Sequence, residues 1–178
     1  ICIFKIFIEW SQRKVNKVFL KLQIFSSAFV AFSHGNNDAQ KTMGIITLAL
    51  ITGGILDEST GVPLWVKFTC AITMALGTSL GGWKIMKTMG GSVTKLEPAS
   101  GFAAQTTSAI VIESMTFFGA PVSTTQVITT SIMGAGSAKR ATSVKWGIAQ
   151  NIAVAWILTL PVAMILGGCA CWLISYMV

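Results

Sequence analysis

The chain has 178 residues, 53% of them hydrophobic and 11% charged, with a formal net charge of +7 and a mean hydropathy of +0.71. A soluble domain carries about 25% charged residues, so this composition excludes an ordinary soluble enzyme or binding module. It leaves an integral membrane protein with room for roughly three to five spans of about 20 residues each. The basic excess falls in short segments between apolar runs, as membrane orientation requires, and needs no nucleic acid.

The chain opens on Ile1, and no secretory leader pattern precedes its apolar runs. It is therefore expected to be an internal piece of a longer protein, with residues 1–21 as a cytoplasmic-side lead-in ending in Arg13, Lys14, Lys17 and Lys21. An apolar pattern then runs to Phe32, is interrupted, and resumes from Met43 to Ile55. As one rod, residues 22–53 would be about 48 Å long, well beyond a hydrocarbon core of about 30 Å. The sequence thus predicts a helix broken within 33–38, at His34-Gly35-Asn36. The loop at 53–62 holds Asp57 and Glu58 and no basic residue.

Pro63 to Trp83 reads as a span whose Lys67 must snorkel. Residues 84–97 carry Lys84, Lys87, Lys95 and Glu97, with Glu97 and Ser100 as capping candidates for the next helix. Two weakly apolar arms follow, Ser100 to Phe118 and Pro121 to Ala138, separated only by Gly119 and Ala120. They read as two full spans or as a re-entrant hairpin. The expectation is a helical hairpin with its tip, 119–123, at membrane depth. Residues 139–145 contain Lys139, Arg140 and Lys145, and Trp146 to Val178 is the most apolar run, kinked or broken at Pro161. Placing the basic segments in the cytoplasm orients the whole path. Cys2, Cys70, Cys169 and Cys171 all lie in apolar segments, with neither a disulfide framework nor a metal spacing.

Two polar clusters sit inside this apolar frame. In the first, Asp38 at membrane depth would cost roughly 2.5–3.5 kcal/mol even on a lenient scale, and such residues line substrate or ion paths; the bland alternative is a wet loop between ordinary spans. Asp38 is a candidate cation ligand, with Asn36, Asn37, Gln40 and Thr42 as further oxygen donors. Asp38 and Thr42 share a face at i, i+4 spacing. Lys41 can offset Asp38 or an anion, or snorkel. His34 is the only histidine, available for proton traffic near its ordinary pKa of about 6.5 or for a structural hydrogen bond. In the second cluster, Pro121 followed by Ser123, Thr124, Thr125 and Gln126 reads as a helix start. Free N–H groups and hydroxyls at such an end suit an oxyanion such as phosphate; capping, or hydroxyls bonded back to their own helix, is the alternative. Glu113 lies within the first arm with no evident partner.

Ser33-His34-Gly35-Asn36-Asn37-Asp38-Ala39-Gln40-Lys41-Thr42 and Pro121-Val122-Ser123-Thr124-Thr125 resemble the inorganic phosphate transporter (phosphate permease) family. Gly101-Phe102-Ala103-Ala104-Gln105-Thr106 and Arg140 to Asn151 add to the similarity, which covers roughly residues 25–175. The resemblance implies an all-α integral membrane fold, half of an inverted-repeat transporter with a broken helix and a re-entrant hairpin. The chain would be the C-terminal repeat, a single membrane domain over 1–178. It further implies phosphate uptake by symport with Na⁺ or H⁺ across a plasma (inner) membrane, by a multi-pass protein with no cofactor beyond the coupling ion. Asn36, Asn37 and Asp38 would sit at the cation, and Ser123, Thr124, Thr125 and Asn37 at phosphate. Expected partners are membrane lipid and the missing N-terminal half, with a homodimer left open. Two positions depart from the family: it usually has glutamate where this chain has Gln105 and histidine where it has Gln126, and both changes remove a titratable group.

The site geometry expected on this reading puts the Asp38 and Thr124 side chains on one face within about 10 Å. Two other classes compete. A membrane-embedded hydrolase would use Ser33, His34 and Asp38, or Ser123, but Ser33 and His34 are adjacent and diverge, and no Gly-x-Ser-x-Gly elbow exists. A non-transporting, truncated or degenerate fragment that needs a partner half is the other.

Overall fold

The computed structural model describes residues 11–92, 94, 96–138 and 140–177, which form five α-helices and one short 3₁₀ turn and contain no strand. Cys2, Lys95, Lys139 and the first half of the lead-in lie outside the described residues. The helices are α1 (Gln12–Thr52), α2 (Leu64–Ser92), α3 (Pro98–Phe117), α4 (Thr124–Ser137) and α5 (Trp146–Met177), with the 3₁₀ turn at Ala141–Ser143 before α5. Among the described residues, three segments are long and apolar enough to cross a membrane: Arg13–Thr52, Leu64–Gly82 and Trp146–Tyr176.

The expected break in the first long helix is absent. α1 is one continuous helix of 41 residues, about 61 Å long, or twice the hydrocarbon thickness. The helix extends into the basic end, where 12–21, expected as part of the lead-in, is helical. The polar cluster does not unwind the backbone because its side chains find partners on the helix surface and on neighbouring helices. His34 and Asp38, Lys41 and Asp38, and Gln40 and Asn36 all pair at i, i+3 or i, i+4 spacing. Gly35 keeps an ordinary helical φ and costs only about 1 kcal/mol relative to alanine.

α1 and α3 run side by side in the same direction and form the main interface. Phe19 packs on Phe102 with ring centroids 5.5 Å apart, Ser26 meets Gln105, and Asn37 meets Thr116, the last two pairs at the same sequence offset of 79. On α3, Ala104, Ser108 and Ala109 are buried beside Ile112, small side chains of the kind that let membrane helices approach closely. α2 packs on α1, and α4 folds back on α3.

The two arms expected over 100–138 do form a helical hairpin. α3 ends in a Schellman motif: the Ala120 N–H donates to Met115 O and the Gly119 N–H to Thr116 O, with Gly119 at φ 66°. Pro121 follows that cap and does not open α4, contrary to expectation. Ser123 is the N-cap, its hydroxyl accepting from the Gln126 N–H at 3.4 Å. α3 begins at Pro98, but Glu97, its N-cap residue, makes no side-chain capping bond. Of the kink or break expected at Pro161, the break is absent: α5 runs on through it. The ring removes one ladder bond, to the carbonyl of residue 157, while the Thr159 hydroxyl donates to Trp156 O at 2.7 Å in the same turn. Hydroxyls of this kind help satisfy backbone around proline in membrane helices.

Gly35 and Gly119 separate the two readings of the chain. No atom lies within 4 Å of a Cβ added at either glycine. Gly35→Ala is expected to stabilise the protein by up to about 1 kcal/mol, and Gly119→Ala to destabilise it by about 1–2 kcal/mol through its left-handed φ. Thermal unfolding followed by circular dichroism checks both, and a loss of stability in Gly35→Ala would restore the broken helix.

Candidate functional site

The tip of the α3–α4 hairpin lies against the middle of α1, and Asp38 holds it there. Its Oδ2 accepts from the Thr124 hydroxyl at 3.2 Å and lies 2.9 Å from His34 Nε2. Its Oδ1 accepts from Lys41 Nζ at 3.0 Å. Lys41 also donates to Val122 O, so one ammonium ties the carboxylate to the tip backbone. Asn37, only 3% exposed, donates from Nδ2 to Thr116 Oγ1 at 2.9 Å, one turn before the tip. Two motifs 86 residues apart therefore meet in one cluster, on one face as expected and closer than expected.

The electrostatics follow from the inventory. Asp38 and Lys41 offset one another. The N-terminus of α4 adds a partial positive charge, and the amides of Thr124 and Thr125 make no hydrogen bond among the described residues. Ser123 and Thr125 are exposed beside them, while Thr124 is buried. One acceptor is unmatched: Asn37 Oδ1 is buried with no partner. A buried amide oxygen without a donor is uncommon enough to require a cause.

The other candidates divide. Asn36 accepts from Gln40 at 3.4 Å, a contact within α1. The Thr42 hydroxyl donates to the Asp38 backbone carbonyl, not to its carboxylate. Gln126 is exposed in the first turn of α4, close to the tip. Gln105 is not at the tip: its Oε1 accepts from Ser26, 12 residues or about 18 Å down α1 from Asp38. Glu113 has one buried carboxylate oxygen with no partner. Cys70 is buried, Cys169 and Cys171 are exposed and free. Sequence reasoning missed Thr116 and the Val122 carbonyl, since neither stands out from its apolar arm; only the offset of 79 between α1 and α3 points to the first.

Residues 6–167 match the profile of the Phosphate transporter family. The chain belongs to this family. It is 45% identical over 170 residues to a protein of Bacillus subtilis (strain 168) named "Probable low-affinity inorganic phosphate transporter", covering 96% of this chain and 51% of that one. A Rhizobium meliloti (strain 1021) protein of the same name is 45% identical over 163 residues, covering 92% of this chain and 49% of its own length. A solved structure named "The sodium-dependent phosphate transporter" superposes with a TM-score of 0.73 at 30% identity, over 83% of this chain and 37% of that one. The chain thus spans about half the length of the curated relatives it matches. Family membership, together with three helices able to cross a bilayer, makes it a membrane protein. The family is one of transporters, not enzymes, which removes the hydrolase reading.

Lys41 is the direct test of how the tip is held. Lys41→Met removes a charge-assisted bond to Val122 O, worth about 1.5–3 kcal/mol. Amide hydrogen exchange across Val127–Thr130, the first bonded turn of α4, is expected to speed up on the order of tenfold or more, while exchange in the α1–α3 seam near Ile112 stays unchanged.

Proposed function

We propose that this chain is one half of a phosphate transporter and that the hairpin tip and Asp38 form its half of a combined phosphate and cation site. The observation that carries the reading is the Asp38–Thr124 contact. It brings an acid, a cation-directing amide oxygen and a helix N-terminus with free donors to one place. Phosphate oxygens take the amides of Thr124 and Thr125 and the hydroxyls of Ser123 and Thr125, while the Thr124 hydroxyl stays on Asp38. Asn37 Oδ1 and Asp38 take the coupling cation, because hard cations select oxygen ligands. A phosphate dianion leaving water needs positive charge that Lys41, already matched to Asp38, does not supply. Cations travelling with it supply that charge, so coupling follows from the charge balance of the site. Na⁺ is favoured over H⁺ by the name of the solved relative, a sodium-dependent phosphate transporter.

The hairpin is proposed to be re-entrant. α4 has 14 residues, about 21 Å, too short for a core of about 30 Å, whereas an equal-depth tip reached by α3 needs no crossing. The relatives have twice this length. A second, inverted repeat supplying a matching acid and tip would complete the enclosure.

Uptake of labelled phosphate by the full-length transporter, in Na⁺ and in Na⁺-free buffer, tests this. Asp38→Asn is expected to leave membrane protein levels within about twofold and to cut uptake by 10²-fold or more, the scale of a 2.7 kcal/mol loss. Thr124→Ser should retain most uptake and Thr124→Val little. Normal uptake in Asp38→Asn, or saturable uptake by a proven monomer of these 178 residues, would overturn the proposal.

A further inference from the structure

The far end of the hairpin borders a second, open polar space. A cavity of about 290 Å³ lies where the connection into α3, the first turn of α3, the last turn of α4 and the 3₁₀ turn meet, and Thr94, Glu97, Ser100, Gly136, Arg140 and Ser143 line it. The length of α4, about 21 Å for its 14 residues, separates it from the Asp38–Thr124 contact.

Its free donors gather at the first turn of α3, across from the carbonyl end of α4. Pro98 has no N–H, and the Glu97 side chain does not cap the helix, so the amides of Ala99 and Ser100 have no partner among the described residues. The Ser100 side chain lines the cavity, the residue is 6% exposed, and its hydroxyl makes no hydrogen bond among the described residues. Arg140 makes no ion pair there either. The Glu97 carboxylate is the opposing charge, and Glu97 has an interaction of its own. The walls are firm: Thr94, 2% exposed, donates to Ser143 O at 3.0 Å, and Gly136 admits it by lacking a side chain, since a Cβ there would sit 3.0 Å from Thr94 Oγ1.

We propose that this cavity is a binding site for a phosphate oxyanion, separate from the site at the tip. The hydroxyl of a nearly buried serine, two free amides and the exposed guanidinium of Arg140 together suit an acceptor with several oxygens. A cation or an apolar group would leave the amides and the guanidinium unpaired. The volume is at the lower limit for drug-sized ligands and fits one tetrahedral headgroup with water. The site lies at the basic end of the protein. Phe19 of α1 packs on Phe102 of α3 there, next to Lys17 and Lys21, and Arg140 and Lys145 flank the 3₁₀ turn. Inorganic phosphate and the phosphodiester of an anionic lipid present the same chemistry, and basic surfaces beside a membrane concentrate both.

Amide hydrogen exchange across residues 97–103 reads this site without reference to the tip. The full-length transporter that carries this chain is measured in maltoside micelles, which contain no phosphate. The two arms add inorganic phosphate, or phosphatidylglycerol in mixed micelles. Protection of at least tenfold is expected in one arm, lost in Arg140→Gln, partly kept in Arg140→Lys, reduced several-fold in Ser100→Ala, and unchanged in Thr124→Val. Protection by phosphate identifies the free ion as the ligand, and protection by phosphatidylglycerol alone identifies the headgroup. No protection in either arm, or protection that survives Arg140→Gln combined with Ser100→Ala, overturns the proposal. Unchanged exchange at Ile112 in each variant shows that the fold is intact. Loss of the tip site through Thr124→Val, with 97–103 still protected, separates failure of the transport reading from failure of this one.

Discussion

A carboxylate in an apolar medium must be matched by donors, and the way Asp38 is matched organises the structure. Three groups converge on it: His34 and Lys41 from its own helix and Thr124 from the hairpin. The first two follow from helical spacing alone. The third needs α3 and α4 to reach the middle of α1 at the right height. Once they do, the polar cluster is satisfied without unwinding the backbone, and α1 stays continuous. The cost that argued for a broken helix is removed by side chains, not by loop geometry.

That height is set by the seam between α1 and α3. Ser26–Gln105 and Asn37–Thr116 fix one register along it, and Ala109 and Ile112, both fully buried, fill the space between. Without a hydrophobic force between helices in lipid, close packing of small residues and interhelical hydrogen bonds carry the association. The Schellman turn at Gly119 then reverses the chain within a few residues, so that Val122 and Thr124 arrive opposite Lys41 and Asp38. A slip of one helical turn, about 5.4 Å, would separate every one of these pairs.

The hairpin consequently has two chemically distinct ends. At the tip, charge is internally offset and one amide oxygen, Asn37 Oδ1, is left over. At the base, donors are left over beside Arg140. The remaining surface is apolar: Phe25 is 76% exposed, Leu80 88%, and the most apolar stretch of α5 has no buried residue. Such faces require a bilayer or further protein around them, which is consistent with a chain that covers half of its relatives.

The sequence by itself determined the membrane class, the hairpin with its short turn, and the two polar motifs whose residues meet. Hydropathy, loop charge and the Gly119–Pro121 turn are local properties, and local properties survive without knowledge of the partner. It also put Asp38 and Thr124 in one cluster, since two polar breaks in an apolar chain have few other places to be satisfied. Tertiary structure alone decided three things. It decided that α1 is unbroken, because the partners that make this affordable lie 86 residues away. It decided that Gln105 belongs to the Ser26 level of the seam and not to the tip, because the parallel register of α1 and α3 follows from packing of small side chains that carry no pattern of their own. It decided that Ser100, Arg140 and Ser143 share one cavity, because they come from a helix start, a loop and a 3₁₀ turn that only the closure of the hairpin brings together.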